Sequence, residues 1–211
     1  MVLTPWVLGA TALTALLLVV VAYEAVGTLD TIAHEAGHMV VGALTGHRIR
    51  YFEVTSGGEG ATWRSDHGWS LGRILLRMAG YTTPPLLGLG GAALLAAGKA
   101  WPLLWTVVVL LVLALIKAEK EWTTFVVLLW AAATGYVALY GAPPLQAAYA
   151  AGLVWLLLFG GLRAAVESST DDDSDAAKLA RDTLIPRIVW KTGFVVLALF
   201  CLWKGFVLLA S

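Results

Sequence analysis

Charge is what this sequence has least of. Only 13% of its 211 residues are Asp, Glu, Lys or Arg, about half the share of a soluble globular domain. The 14 basic and 14 acidic residues cancel, so neither a nucleic-acid partner nor an acidic substrate is suggested. The single cysteine, Cys201, excludes an internal disulfide. Set in an apolar run, it is expected to face lipid or fill core. A basic stretch is missing from the first six residues, and Val7 to Ala22 is too long, and too closely followed by further apolar sequence, for a cleaved signal peptide. The first span is therefore expected to be retained.

What the chain has in quantity is apolar sequence: 59% hydrophobic residues and a mean hydropathy of +0.80. Runs long enough to cross a bilayer recur along it, which predicts an all-α polytopic membrane protein of about six to seven transmembrane helices. The expected spans lie at about 5–23, 28–45, 73–97, 101–117, 122–140, 145–163 and 185–209, in a single transmembrane domain over residues 1–211. Ten tryptophans, among them Trp6, Trp101, Trp122 and Trp190 near expected span ends, suit interfacial belts. The first two spans are nearly continuous. One helix from Trp6 to Thr45 would be about 58 Å long, roughly twice the hydrocarbon thickness. A break is expected between Glu24 and Asp30, where Gly27 and a cap at Thr28 or Asp30 offer one; six spans with a tilted first helix is the alternative.

Basic residues predict the orientation. Arg48, Arg50, Arg64 and Arg73 follow the second span, Lys117 and Lys120 lie in the turn near Ile116 to Glu121, and Arg163, Lys178, Arg181 and Arg187 flank the last long loop. These three segments are expected on the cytoplasmic side. Residues about 48–64 read as a short membrane-surface β-hairpin, with strand formers Ile49, Tyr51, Phe52, Val54 and Thr55, a turn at Ser56-Gly57-Gly58-Glu59-Gly60, and Ala61-Thr62-Trp63 resuming. An ordinary connecting loop is the plainer reading; an edge strand that pairs with an extended peptide is the functional one. Gly80-Tyr81-Thr82-Thr83-Pro84-Pro85 is expected to interrupt the third span. Packing accounts for that segment as well as function does, so no catalytic role is assigned to it.

One motif carries chemistry. His34-Glu35-Ala36-Gly37-His38 sits in the helix expected at about 28–45, where His34 and His38 share a face at the spacing that lets both bind one Zn²⁺. Glu35 is placed to act as general base on water there. Ionisable groups inside a span cost at least about 2.5 kcal/mol each, so three together need a compensating role. From the positive residues, the motif is expected inside the membrane, two to three turns from the cytoplasmic end of its helix. A chance HExxH on a packed helix is the alternative.

Two histidines leave a catalytic zinc site one protein ligand short. His47 follows Gly46, beyond the expected helix end, and His67 sits in a polar loop; both read as solvated residues. Glu24 and Asp30 precede the motif, and Asp30 suits a helix cap. Ser168 to Asp175, the end of an acidic loop at about 164–175, reads either as a solvated turn capping the next helix or as a ligand source folded inward.

A resemblance bears on that choice. HEAGH followed by Leu44-Thr45-Gly46-His47-Arg48, the hairpin-like Arg50 to Trp63, Ala79-Gly80-Tyr81 with the prolines after it, Ser174-Asp175-Ala176, Leu179-Ala180, Thr183, Ile185-Pro186 and Trp190 resemble the site-2 protease family of intramembrane zinc metallopeptidases. The nearest likeness is to its compact bacterial branch without a PDZ domain, and it extends from about residue 28 to 190. HEAGH alone is moderately specific; the later Ser-Asp-Ala segment sharpens the match. The resemblance implies His34, His38 and Asp175 as Zn²⁺ ligands and Glu35 as the catalytic base. It also implies a membrane-protein substrate cut in or beside a transmembrane segment, in a bacterial plasma membrane, with the active site nearer the cytoplasm. The chain departs from better-known members in having no Asn-Pro-Asp-Gly or Leu-Asp-Gly segment and no asparagine at all. The amide side chain often associated with substrate or oxyanion binding in the family is thus absent, and Asp171, Asp172 and Asp173 stand as alternative ligands.

Other functions remain open at this point. A catalytically silent, protease-like membrane adaptor that keeps zinc, or merely the fold, is the main alternative. A metal transporter should show ionisable residues in several spans, and these spans are nearly empty of them. A CAAX-type membrane protease would need a late glutamate ligand, for which Glu167 is the one candidate.

Overall fold

A computed structural model describes residues 3–46, 49–54, 60–64, 70–168 and 174–211. The first helix, α1, spans Pro5–Val21; Thr4 caps it, its hydroxyl accepting from the Val7 N–H at 3.5 Å, and Pro5 suits the first position with its fixed φ. The HEAGH helix, α2, runs Tyr23–Leu44, and the two axes meet at 101°. The break thus falls at Ala22, not between Glu24 and Asp30, and α2 begins five residues earlier than the expected 28. Two would-be break residues find partners inside the helix: Thr28 Oγ1 donates to Ala25 O at 2.9 Å, and Asp30 Oδ2 accepts from the Tyr23 hydroxyl at 3.2 Å. Ala22 leaves helical geometry at φ −127°, ψ 35°. The carbonyls opened at the end of α1 are taken up by Arg163, which donates to Val19 O and Val20 O and stacks on Tyr23 at 4.3 Å.

Strands β1 (Ile49–Val54) and β2 (Gly60–Arg64) pair antiparallel, with Phe52 opposite Thr62 and Val54 opposite Gly60. The other edge of β1 is also occupied. Phe52 N–H donates to Lys117 O at 3.1 Å, and Val54 N–H donates to Thr123 Oγ1 at 2.8 Å. Phe52 and Val54 are buried with Ile32, Leu111, Val126 and Val127.

The remaining helices are α3 (Ser70–Ala96), α4 (Ala100–Leu115), α5 (Glu121–Tyr140), α6 (Pro143–Glu167), α7 (Asp175–Thr183) and α8 (Arg187–Ala210). The expected interruption of α3 does not occur: it continues through Pro84 and Pro85. The prolines are accommodated by close approach to α6. A Cβ on Gly161 would lie 2.8 Å from Pro85 Cδ and 3.1 Å from Pro85 N. Because a proline ring in a helix backbone cannot swing aside, Gly161→Ala is expected to cost about 1–3 kcal/mol by overpacking. Thermal unfolding in detergent reads this as a fall of roughly 2–4 °C per kcal/mol; an unchanged melting temperature would mean that α3 and α6 separate freely.

Among the described residues, α5, α6 and α8 are long and apolar enough to cross a membrane, and the bent pair α1–α2 makes a fourth if counted as one span. The chain is an integral membrane protein, but length and apolarity support three or four spans rather than six to seven. The shortfall has clear causes. Helix α4, at 16 residues, is about 24 Å long, and α3 is diluted by Arg73, Arg77, Thr82, Thr83 and several glycines. The main core surrounds α6, where Trp155, Val154 and Leu158 pack with Leu104 and Ala92. Cys201 is fully buried there, so it fills core and does not face lipid.

Candidate metal centre

The site forms where α2 crosses the first half of α3 and α7 closes over both. His34 and His38 project from one face of α2, their rings edge-on with centroids 4.9 Å apart. The His38 Nδ1–H donates to the Leu76 carbonyl at 2.7 Å. A carbonyl can only accept, so Nδ1 holds the proton and Nε2 keeps its lone pair for a ligand. That Nε2 lies 3.2 Å from His34 Nε2. Two such nitrogens repel unless a cation or a proton lies between them.

Asp175 supplies the third donor. It opens α7, whose start is set by Ser174, the hydroxyl accepting from the Ala177 N–H at 3.2 Å. Its Oδ2 is 3.0 Å from His38 Nε2 and 3.4 Å from His34 Nε2. Around a tetrahedral ion with ligands at about 2.0–2.1 Å, donor atoms sit about 3.3 Å apart. Separations of 3.0 to 3.4 Å and an N, N, O donor set fit Zn²⁺ in kind and in size. Burial alone would raise the Asp175 carboxyl, but the His38 and His34 imidazoles beside it overcome that and hold it well below the usual carboxylate range.

The floor and side wall come from α3 and α8. Gly80 lies directly under the imidazoles: a Cβ there would run into His34 Nε2 and lie 2.7 Å from His38 Nε2. The Tyr81 ring meets His34 edge-on at 4.7 Å and stacks on Phe194 of α8 at 5.3 Å. Gly37, inside the motif, permits the helix crossing, since a Cβ would strike Thr83 Oγ1 and come within 2.8 Å of Ala79 O. Glu35, between the two histidines, is only 2% exposed.

The structure therefore gathers His34, His38 and Asp175, expected as ligands, and buries Glu35 on the same helix. Other candidates go elsewhere. Glu24 is exposed, and Asp30 is buried against Gly160 of α6 and Tyr23. Glu167 pairs with Arg163 at 2.9 Å. His47, His67, Asp171, Asp172 and Asp173 lie outside the described residues. The Gly80-Tyr81 segment, to which no catalytic role was assigned, proves to be the floor of the site. Its signal was present in the sequence, as a glycine and an aromatic set among polar residues in an apolar helix. The Leu76 carbonyl had none, because a backbone acceptor is the same at every residue.

The sequence model of a family described as Peptidase M50B-like matches residues 6–205. No curated protein and no solved structure matches this chain.

Proposed function

The chain belongs to the M50B-like peptidases, the site-2 protease kind, whose members are zinc-dependent; from that premise we propose that it is an intramembrane zinc endopeptidase cutting a membrane-protein substrate in or beside a transmembrane segment. The observation that carries this reading is the convergence of His34, His38 and Asp175 within ligand distance of one another, with Glu35 in the same helical turn. In it, His34 Nε2, His38 Nε2 and an Asp175 oxygen hold Zn²⁺. When bound, the ion supplies Lewis acidity, polarising the scissile carbonyl and making nearby water a stronger acid. Glu35 takes the proton as that water's oxygen bonds to the carbonyl carbon. It then delivers the proton to the amine as the C–N bond breaks.

The substrate is expected to be extended at the cut, because a helix keeps its carbonyls in internal hydrogen bonds. Since β1 is paired on both sides, β2 is the strand left to receive such a peptide among the described residues. We read α3 and α4 as further membrane-embedded helices, with Val109, Val112 and Leu113 of α4 exposed as lipid-facing residues are. We place the site nearer the cytoplasm of a bacterial plasma membrane; what favours that side is that the α4–α5 turn meets β1 and α7 meets the first half of α3, so basic segments gather at one end of the bundle.

Zinc content of the purified protein tests the assignment. Asp175→Ala is expected to lose most of its zinc, and an Asp171/Asp172/Asp173 triple alanine to keep it. Full occupancy without Asp175 overturns the ligand set. Zinc held by wild-type protein that cleaves no substrate in membranes would favour an adaptor instead.

A further inference from the structure

Asp175 reaches the metal centre on α7, a helix of nine residues, too short to hold its shape alone. Whatever fixes α7 therefore fixes the third ligand. We propose that Arg77 is a positioning residue for that ligand, clamping α7 to α3 so that metal affinity depends on the clamp; this rests on the zinc-centre reading above.

Arg77 Nη1 donates to the Lys178 carbonyl at 2.6 Å, and the same guanidinium pairs with the Asp182 carboxylate. Both partners of the ion pair are largely buried, at 18% and 19% side-chain exposure, where such a contact is screened least. Asp175, Lys178 and Asp182 follow one another at helical spacings of three and four, so the face gripped by Arg77 is the face that carries the ligand. Arg77 also directly follows Leu76, whose carbonyl orients His38. One turn of α3 thus positions two ligands, one through the backbone and one through a side chain. The rest of the α7 anchorage lies on its other flanks. Leu179 and Ala176 are buried with Phe194 and Ala165, and the Trp190 indole N–H donates to Thr183 Oγ1 at 3.1 Å. These contacts hold the other flanks of α7, Ala176 directly beside Asp175, and Arg77 adds the polar hold from α3. Both contacts are made by Nη1, whose two N–H groups are fixed in the guanidinium plane, whereas an ammonium is a single point charge on a flexible stem.

The test is a double-mutant cycle on the purified full-length protein, with zinc affinity read by chelator competition. Arg77→Met is expected to raise the zinc Kd about 10–100-fold, the range seen for outer partners of metal ligands. Arg77→Lys should recover part of it. Combined with Asp175→Ala, Arg77→Met should add less than about twofold, since both act through one ligand. In the Co²⁺-loaded protein, Arg77→Met should shift the visible d–d spectrum toward that of Asp175→Ala. Should Arg77→Met fail to fold, Asp182→Asn, which keeps the shape and removes the charge, is expected to weaken zinc in the same direction. The clamp is overturned if Arg77→Met and Asp182→Asn both leave the Kd within about twofold, or if Arg77→Met weakens zinc equally with and without Asp175. Wild-type protein that binds no zinc, or Asp175→Ala that binds it undiminished, overturns the zinc centre and the clamp together.

Discussion

Glu35→Gln is expected to lower peptide cleavage by about 10²–10⁴-fold, the contribution of a general base, while zinc content stays at the wild-type level. The two readouts separate because Glu35 is not among the converging donor atoms, which come from His34, His38 and Asp175. Glutamine has nearly the same volume and can still hydrogen-bond, so a residue only 2% exposed is replaced without opening a cavity. What it lacks is the ability to take a proton from water. Metal analysis of the purified variant beside a membrane-substrate cleavage assay reads both quantities. Cleavage retained at wild-type rates would remove Glu35 from the role of base, and zinc lost with it would move Glu35 into the ligand set.

Gly80→Ala is expected to damage the site by a single methyl group. That methyl would press into the His34 ring, 2.5 Å from Cε1, and lie 2.7 Å from His38 Nε2. The atoms that must give way are the tips of imidazoles, which can move, and not backbone, which cannot. The fold is therefore expected to survive, with a melting temperature near wild type, while both nitrogens leave their positions. A displacement of about 1 Å at a reacting centre costs on the order of 10²-fold, so cleavage should fall by at least that much and zinc affinity should fall with it. Gly90→Ala on the same helix is the control: nothing lies within 4 Å of the added carbon, and both quantities should be unchanged. Normal zinc binding and cleavage in Gly80→Ala would mean that the imidazoles do not rest on α3 as described.

HEAGH stood out in the sequence because one short helical repeat carries two imidazoles and a carboxylate within an apolar run. Asp175 was legible only through resemblance, since no local rule says that an acidic turn 137 residues beyond His38 folds onto it. The break between the first two helices was misplaced for an instructive reason. Gly27, Thr28 and Asp30 are helix-ending residue types, yet each has a tertiary use within α2. Gly27 makes room for the Tyr23 ring, where a Cβ would come within 2.8 Å, Thr28 Oγ1 accepts from the Trp130 indole at 3.0 Å, and Asp30 accepts from Tyr23. Cap propensity describes what an isolated turn prefers, and here Tyr23 of the same helix and Trp130 of α5 supply partners that outweigh it. The same limit hid Arg77: an arginine in an apolar helix signals cost, and its beneficiary, α7, lies about a hundred residues further along.

The 101° elbow at Ala22 changes what depth means for this protein. Two helices at nearly a right angle cannot both stand along the bilayer normal. If α1 stands upright, α2 lies close to the membrane plane, and residues from Thr28 to Leu44 share one level instead of descending through the lipid. Counting turns from Leu44 then measures lateral distance, not immersion. HEAGH would then be a shelf approached sideways, between helices, and not from above.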